Sequence, residues 1–115
     1  MAKASFCDRL RHILQSIAAI EGYWLEKTFQ DFQGSEPLRA ATERHLLIIS
    51  EAVRYIPEND RDGHPQIPWR NITGIGNILR HGYDGIDQER IWSAVQLDLP
   101  ALKTAIEAML VNNPA

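Results

Sequence analysis

Residues 6–24, FCDRLRHILQSIAAIEGYW, set apolar side chains at Phe6, Leu10, Ile13, Leu14, Ile17, Ile20 and Trp24. The steps are three and four residues, the period of a helix with one buried stripe, and Asp8, Arg9, Arg11, Gln15 and Glu21 fill the other face. Gly22 does not break the pattern, which carries on through Leu25 and Phe29. One helix over roughly residues 4–31 is therefore predicted, about 40 Å long at 1.5 Å per residue.

The same period returns downstream. Gln33-Gly34-Ser35 reads as a turn, with Ser35 as N-cap and Pro37 in the first turn of a second helix. That helix carries Leu38, Ala41, Leu46, Ile49, Ala52, Val53 and Ile56 on one stripe, interrupted only by the polar Thr42, and Pro57 ends it. Residues 57–68 hold Pro57, Asn59, Gly63, Pro65 and Pro68 and read as a long loop. A third helix fits Trp69 to about Tyr83, where Gly82 and Gly85 break it. Asp87 caps a fourth helix with Ile91, Trp92 and Val95, and Asp98-Leu99-Pro100 reads as the start of a fifth with Leu102, Ile106, Met109 and Leu110. Strand alternation and repeats are absent from the sequence. The expectation is an all-α protein, a five-helix up-and-down bundle forming one domain over residues 1–115.

Composition narrows the function classes. The 115 residues are 44% hydrophobic and 23% charged, an ordinary globular balance that excludes wholesale disorder. The lone cysteine, Cys7, excludes an internal disulfide and a Cys-rich zinc site, and reads as a structural thiol in a reducing compartment. The N-terminus leads into an amphipathic stretch with Asp8, Arg9 and Arg11, unlike a signal peptide, and runs such as Leu46-Leu47-Ile48-Ile49 are too short to span a bilayer. A cytoplasmic protein with no membrane partner is expected. The net charge of −3 argues against bulk electrostatic binding of nucleic acid but leaves room for a local phosphate site. Arginine outnumbers lysine nine to three, and arginine is the side chain that grips phosphate bidentately.

The histidines are unequal. His12 and His45 follow Arg11 and Arg44 on the first two helices as solvent-facing or boundary positions, and His64 lies in the proline loop without an evident partner. No pair has metal-binding helical spacing and no carboxylate pattern resembles a di-iron bundle, so neither a metal nor another cofactor is expected. Gly74 and Gly76 lack the third glycine and preceding strand of a dinucleotide loop. His81 differs by its company. With Gly76 at 0° and about 100° per residue, Ile72, Ile75, Ile78 and Leu79 form a core stripe. The opposite face gathers Tyr83, Arg80, Asp84, Asn77 and His81, with Arg70 at the helix start. A solvated polar face accounts for the same positions. A histidine and a phenol are unusual choices for solvation alone, and glycines at 74, 76 and 82 thin the helix as if something approaches closely.

Residues 67–87, IPWRNITGIGNILRHGYDGID, with Ile91-Trp92 and Asp98-Leu99-Pro100-Ala101-Leu102 beyond them, resemble the HepT-like family of HEPN domains. The resemblance implies a helical bundle with a four-helix core plus a C-terminal helix, present as a homodimer. It implies a toxin of a toxin–antitoxin pair: a metal-independent endoribonuclease, partnered by a minimal nucleotidyltransferase antitoxin encoded beside it. The family motif is an arginine, a polar residue, three further residues and a histidine, with a tyrosine two positions on. Asn77, His81 and Tyr83 match it, whereas Gly76 stands at the arginine position. Arg80 is one turn further and about 40° around the helix, and helical side chains lean toward the N-terminus, so its guanidinium can reach the space over Gly76. Arg70 is a second candidate for binding substrate phosphate.

Cleavage of RNA without a metal needs a base for the 2′-hydroxyl, an acid for the leaving 5′-oxygen and a cation beside the phosphorane. Histidine as a residue type titrates near neutral pH and suits both proton transfers. One chain supplies one His81, so a two-fold dimer with this helix near its axis would complete the site, with Asn77 orienting the imidazole or donating to phosphate. The resemblance further implies that Tyr83 is the residue on which the partner places AMP. Gly76 supports an alternative: a catalytically degenerate bundle that binds RNA or the nucleotidyltransferase without cutting.

Overall fold

A computed structural model describes the backbone of residues 2–82, Gly85 and residues 87–113, with side chains from Phe6 onward. The described residues are helical and contain no strand. In chain order they form α1 (Ala2–Trp24), α2 (Phe29–Gly34), α3 (Glu36–Val53), α4 (Glu58–Asp62), α5 (Trp69–His81), α6 (Gln88–Ser93), a π-helical turn (Ala94–Asp98) and α7 (Leu99–Asn112). The all-α bundle is as expected from the hydrophobic period. Its segmentation differs in three places.

The first helix stops at Trp24, not near residue 31. Glu26 takes a left-handed φ of 61°, and Thr28 then caps a new helix. The Thr28 hydroxyl accepts from the Asp31 amide at 3.2 Å, and the Asp31 carboxylate accepts from the Thr28 amide at 2.8 Å. The Thr28 amide and hydroxyl both donate to that carboxylate and hold the Asp31 carboxyl below its ordinary range, because these bonds favour the charged form. The reversal folds Phe29 and Phe32 back onto Trp24 and Trp92. The Trp24–Phe32 and Phe32–Trp92 centroids lie 5.0 and 5.2 Å apart.

The proline-rich segment after α3 holds the short helix α4 within the region read as a loop. The last correction concerns Asp98-Leu99-Pro100. Asp98 has helical backbone angles and makes no side-chain cap, so α6, the π turn and α7 run on as one rod. Pro100 cannot donate to the carbonyl four residues back and its ring crowds that carbonyl, which a locally wider turn relieves. The Leu99 amide accordingly donates to the Ala94 carbonyl, five residues back. Burial pushes the Asp98 carboxyl up, opposed by the Arg90 charge.

The core lies where α1 packs on α3, α3 on α5 and α1 on α7. Leu10, Ile13, Ile17 and Ile20 meet Leu46, Ile49 and Val53 there, with Ile72 and Ile75 from α5 and Leu102 and Ile106 from α7. Each such side chain contributes about 1.5–3 kcal/mol by leaving water. Thr42, the polar break in the α3 stripe, accepts from Trp24 Nε1 at 2.8 Å and donates to the Leu38 carbonyl at 2.7 Å. Both buried polar groups are therefore satisfied, avoiding a penalty of about 1–3 kcal/mol for each left unpaired. Cys7 is buried and its thiol donates to the Asn113 carbonyl, tying the start of α1 to the end of α7. That is the structural role expected of it.

Candidate active site on helix α5

The sequence of α5 decides what each of its faces does. Ile72 and Ile75 are buried against the bundle, and Ile78 and Leu79 are half-buried. Gly76 is buried too, at the edge of that stripe against α3 and not on the polar face. A Cβ built at Gly76 would stand 2.6 Å from Ser50 Oγ. The close approach signalled by this glycine is thus the neighbouring helix of the same chain. Gly74, by contrast, faces open space. Gly76→Ala sets an overpacking cost of about 1–3 kcal/mol against a gain in helix propensity of about 1 kcal/mol. In the Ser50→Ala background the crowding disappears and the gain remains. Urea unfolding of the four proteins should therefore give a coupling of about 1–2 kcal/mol favouring the double variant. Additive effects would mean that the two residues do not crowd each other.

Arg80 lies over the same glycine. The Cβ built at Gly76 would sit 3.4 and 3.5 Å from the two terminal nitrogens of the Arg80 guanidinium. The backward reach expected of this side chain is what the structure has. Arg80 also donates to Asn77 Oδ1 at 3.1 Å and forms an ion pair with Glu51 of α3. His81 follows on the exposed last turn of α5, where the Arg80 charge meets the negative end of the helix dipole. Arg80 and Asn77 are therefore brought together beside His81. Arg70 is not: it sits about 15 Å away along the helix at 1.5 Å per residue, lining a separate shallow cavity with Arg61, Asp62 and Trp69. Tyr83 lies outside the described residues.

Arg80 and Glu51 also border a groove of about 470 Å³ whose other lining includes Arg9 and His12 from α1 and Arg44 from α3. Tyr55, just past α3, completes that side, with its ring 3.6 Å from the Arg9 guanidinium carbon. His12 and His45 part company here. His45 is half-buried, with Nδ1 3.1 Å from Ser16 Oγ, whereas His12 is exposed in the groove. Reading the sequence overlooked Arg9, Arg44, Glu51 and Tyr55. Their only one-dimensional signal is the Arg9/His12 spacing on one helix face, and convergence with Arg44 requires the α1–α3 packing. Among the described residues, no three His, Cys, Asp or Glu side chains gather to hold a cation.

The profile of the family described as HepT-like, ribonuclease HepT-like, matches residues 13–109. This chain belongs to the ribonuclease HepT-like family. A probable ribonuclease HepT from Thermococcus cleftensis is 36% identical over 107 residues, covering 93% of this chain and 97% of its own. A putative RNase from Methanocaldococcus jannaschii is 35% identical over 107 residues, 93% and 98% of the two chains. A longer protein from the same organism, named gamma-glutamylcyclotransferase and putative RNase, is 39% identical over 97 residues, 84% of this chain but 44% of its own length. No solved structure gives a significant match. Membership in the HepT-like family agrees with the helical fold and supports a ribonuclease-type function. Among the described residues, no helix is long and apolar enough to cross a membrane.

Proposed function

We propose that this HepT-like protein is a metal-independent endoribonuclease, the toxin of a toxin–antitoxin pair, acting as a homodimer. The observation that carries the reading is the placement of the Arg80 guanidinium over Gly76, bonded to Asn77 and next in sequence to His81. A cation thus occupies the neighbourhood of the motif position that has lost its arginine. In the proposed reaction, one His81 imidazole takes the proton of the 2′-hydroxyl as its oxygen attacks phosphorus. The phosphorus–O5′ bond breaks, and the imidazolium of the second protomer gives its proton to the departing oxygen. Arg80 stabilises the extra negative charge on the phosphorane, and Asn77 holds Arg80 in place. The products are a 2′,3′-cyclic phosphate and a 5′-hydroxyl. A minimal nucleotidyltransferase is the proposed antitoxin, silencing the site by adding AMP to Tyr83.

The pairing of Arg80 with Glu51 favours a second reading, in which the bundle holds RNA or the nucleotidyltransferase without cutting, since the carboxylate competes with phosphate for the guanidinium. One experiment separates the two. Purified protein is incubated with RNA in excess chelator, the new ends are characterised, and the mass is measured by light scattering at micromolar concentration. The expected result is cyclic-phosphate ends and twice the chain mass. A strictly monomeric protein overturns the composite site, and intact RNA leaves the binding module.

A further inference from the structure

The groove beside Arg80 has a chemistry of its own. The chain carries a net charge of −3, yet among the described residues three arginines, Arg9, Arg44 and Arg80, line this one depression with a single carboxylate, Glu51. That carboxylate is already engaged by Arg80. Tyr55 is 60% exposed, which leaves its ring accessible to a ligand. The Arg9 guanidinium over that ring forms an arginine–aromatic platform. Leu47, Ile48 and Ala52 supply apolar lining. Guanidinium forks grip phosphate, whereas aromatic and guanidinium planes stack unpaired bases. The volume, about 470 Å³, falls within the roughly 300–1,000 Å³ range of ligand sites.

We propose that this groove is a subsite for single-stranded RNA. In it Arg9 and Arg44 hold a backbone phosphate neighbouring the one at Arg80, His12 donates a further hydrogen bond, and the Tyr55 ring carries the unpaired base. The proposal rests on the ribonuclease reading for its substrate class. Its residues come from α1, α3 and the turn after α3, not from the α5 motif, so it fails or stands separately. Duplex RNA fits poorly, because its bases are already stacked on one another.

The test uses the full chain carrying His81→Ala, to remove turnover, and a fluorescent single-stranded RNA decamer followed by anisotropy at several salt concentrations. Tyr55→Ala and Arg44→Ala are each expected to weaken binding about tenfold, and Tyr55→Phe to recover most of the loss. Arg44→Ala should also lower the salt slope by about 0.7, the value for one phosphate contact on a single strand. Tyr55→Ala should leave that slope at the parental value. Both positions are exposed, and thermal melting checks that the variants fold. Parental affinity in both variants, or equal affinity for a duplex of the same sequence, overturns the proposal. So does a change in molecular mass without a change in RNA binding, which would make the groove a protein interface. Cleavage by the protein with His81 intact is scored apart. A chain that binds with these losses but never cuts keeps the groove and defeats the nuclease reading. A chain that cuts with a KM insensitive to both substitutions keeps the nuclease and defeats the groove.

Discussion

Arg80→Ala is expected to lower RNA cleavage about a hundredfold or more, as much as His81→Ala, because in the proposed reaction each removes a group that acts on the phosphorane or its protons. The guanidinium sits 3.4 Å from where a side chain at Gly76 would begin, so it is the cation nearest to the motif position. Arg80→Lys should recover little, since an ammonium lacks the planar fork that spans two phosphate oxygens. Glu51→Gln gives the opposite sign. Removing the carboxylate frees the guanidinium for phosphate, and RNA affinity should rise. Initial rates on a fluorescent RNA, measured at equal folded protein, check all four variants. Cleavage that survives Arg80→Ala would move the cation's role elsewhere. Arg70 is poorly placed to take it, standing at the other end of α5.

Co-expression with a minimal nucleotidyltransferase, the proposed antitoxin, should add AMP to the protein in whole steps, and Tyr83→Phe should abolish every adduct. The effect is all-or-none because phenylalanine has no oxygen to attack the α-phosphate of the nucleotide. In the reaction proposed, the phenol oxygen bonds to that phosphorus, pyrophosphate leaves, and the phenolic proton passes to solvent or a base on the transferring enzyme. The block follows from charge and bulk. Tyr83 is three residues beyond Arg80, and the new phosphodiester brings a negative charge that competes with RNA for the guanidinium. Intact-mass measurement reads the steps directly, and a cleavage assay on the modified protein reads the silencing. Adducts that persist in Tyr83→Phe, or none in the parent beside an active transferase, would exclude this residue as the site.

Much of the architecture was legible in one dimension. A three-and-four spacing of apolar residues can be buried only by helices, so Phe6–Trp24, Leu38–Val53 and the α5 stripe declared an all-α bundle before any packing was known. Local capping chemistry was equally readable: Ser35 accepts from the Leu38 amide and Asp87 from that of Arg90, as their side-chain oxygens at helix starts require. Family membership, and the residues Asn77, His81 and Tyr83 that carry the resemblance, also lie in contiguous sequence. What failed was continuity. The apolar period ran through Leu25 and Phe29 although the chain reverses at Glu26, because Phe29 and Phe32 are apolar for the sake of Trp24 and Trp92, not for a prolonged helix. At Asp98-Leu99-Pro100 the error was the reverse: a proline read as a boundary is absorbed by a π turn.

The site divides along the same line. Arg80 reaching back over Gly76 followed from helix geometry alone, since side chains one turn apart on one helix have a fixed relation. That Gly76 accommodates Ser50, that Glu51 binds Arg80 and that Arg9, His12, Arg44 and Tyr55 share a groove did not. Each depends on the angle and register at which α1, α3 and α5 cross, and those are chosen by the whole core as it closes around its buried side chains. Helical period and caps are written along the chain; which residues of different helices meet is a property of the packed core alone.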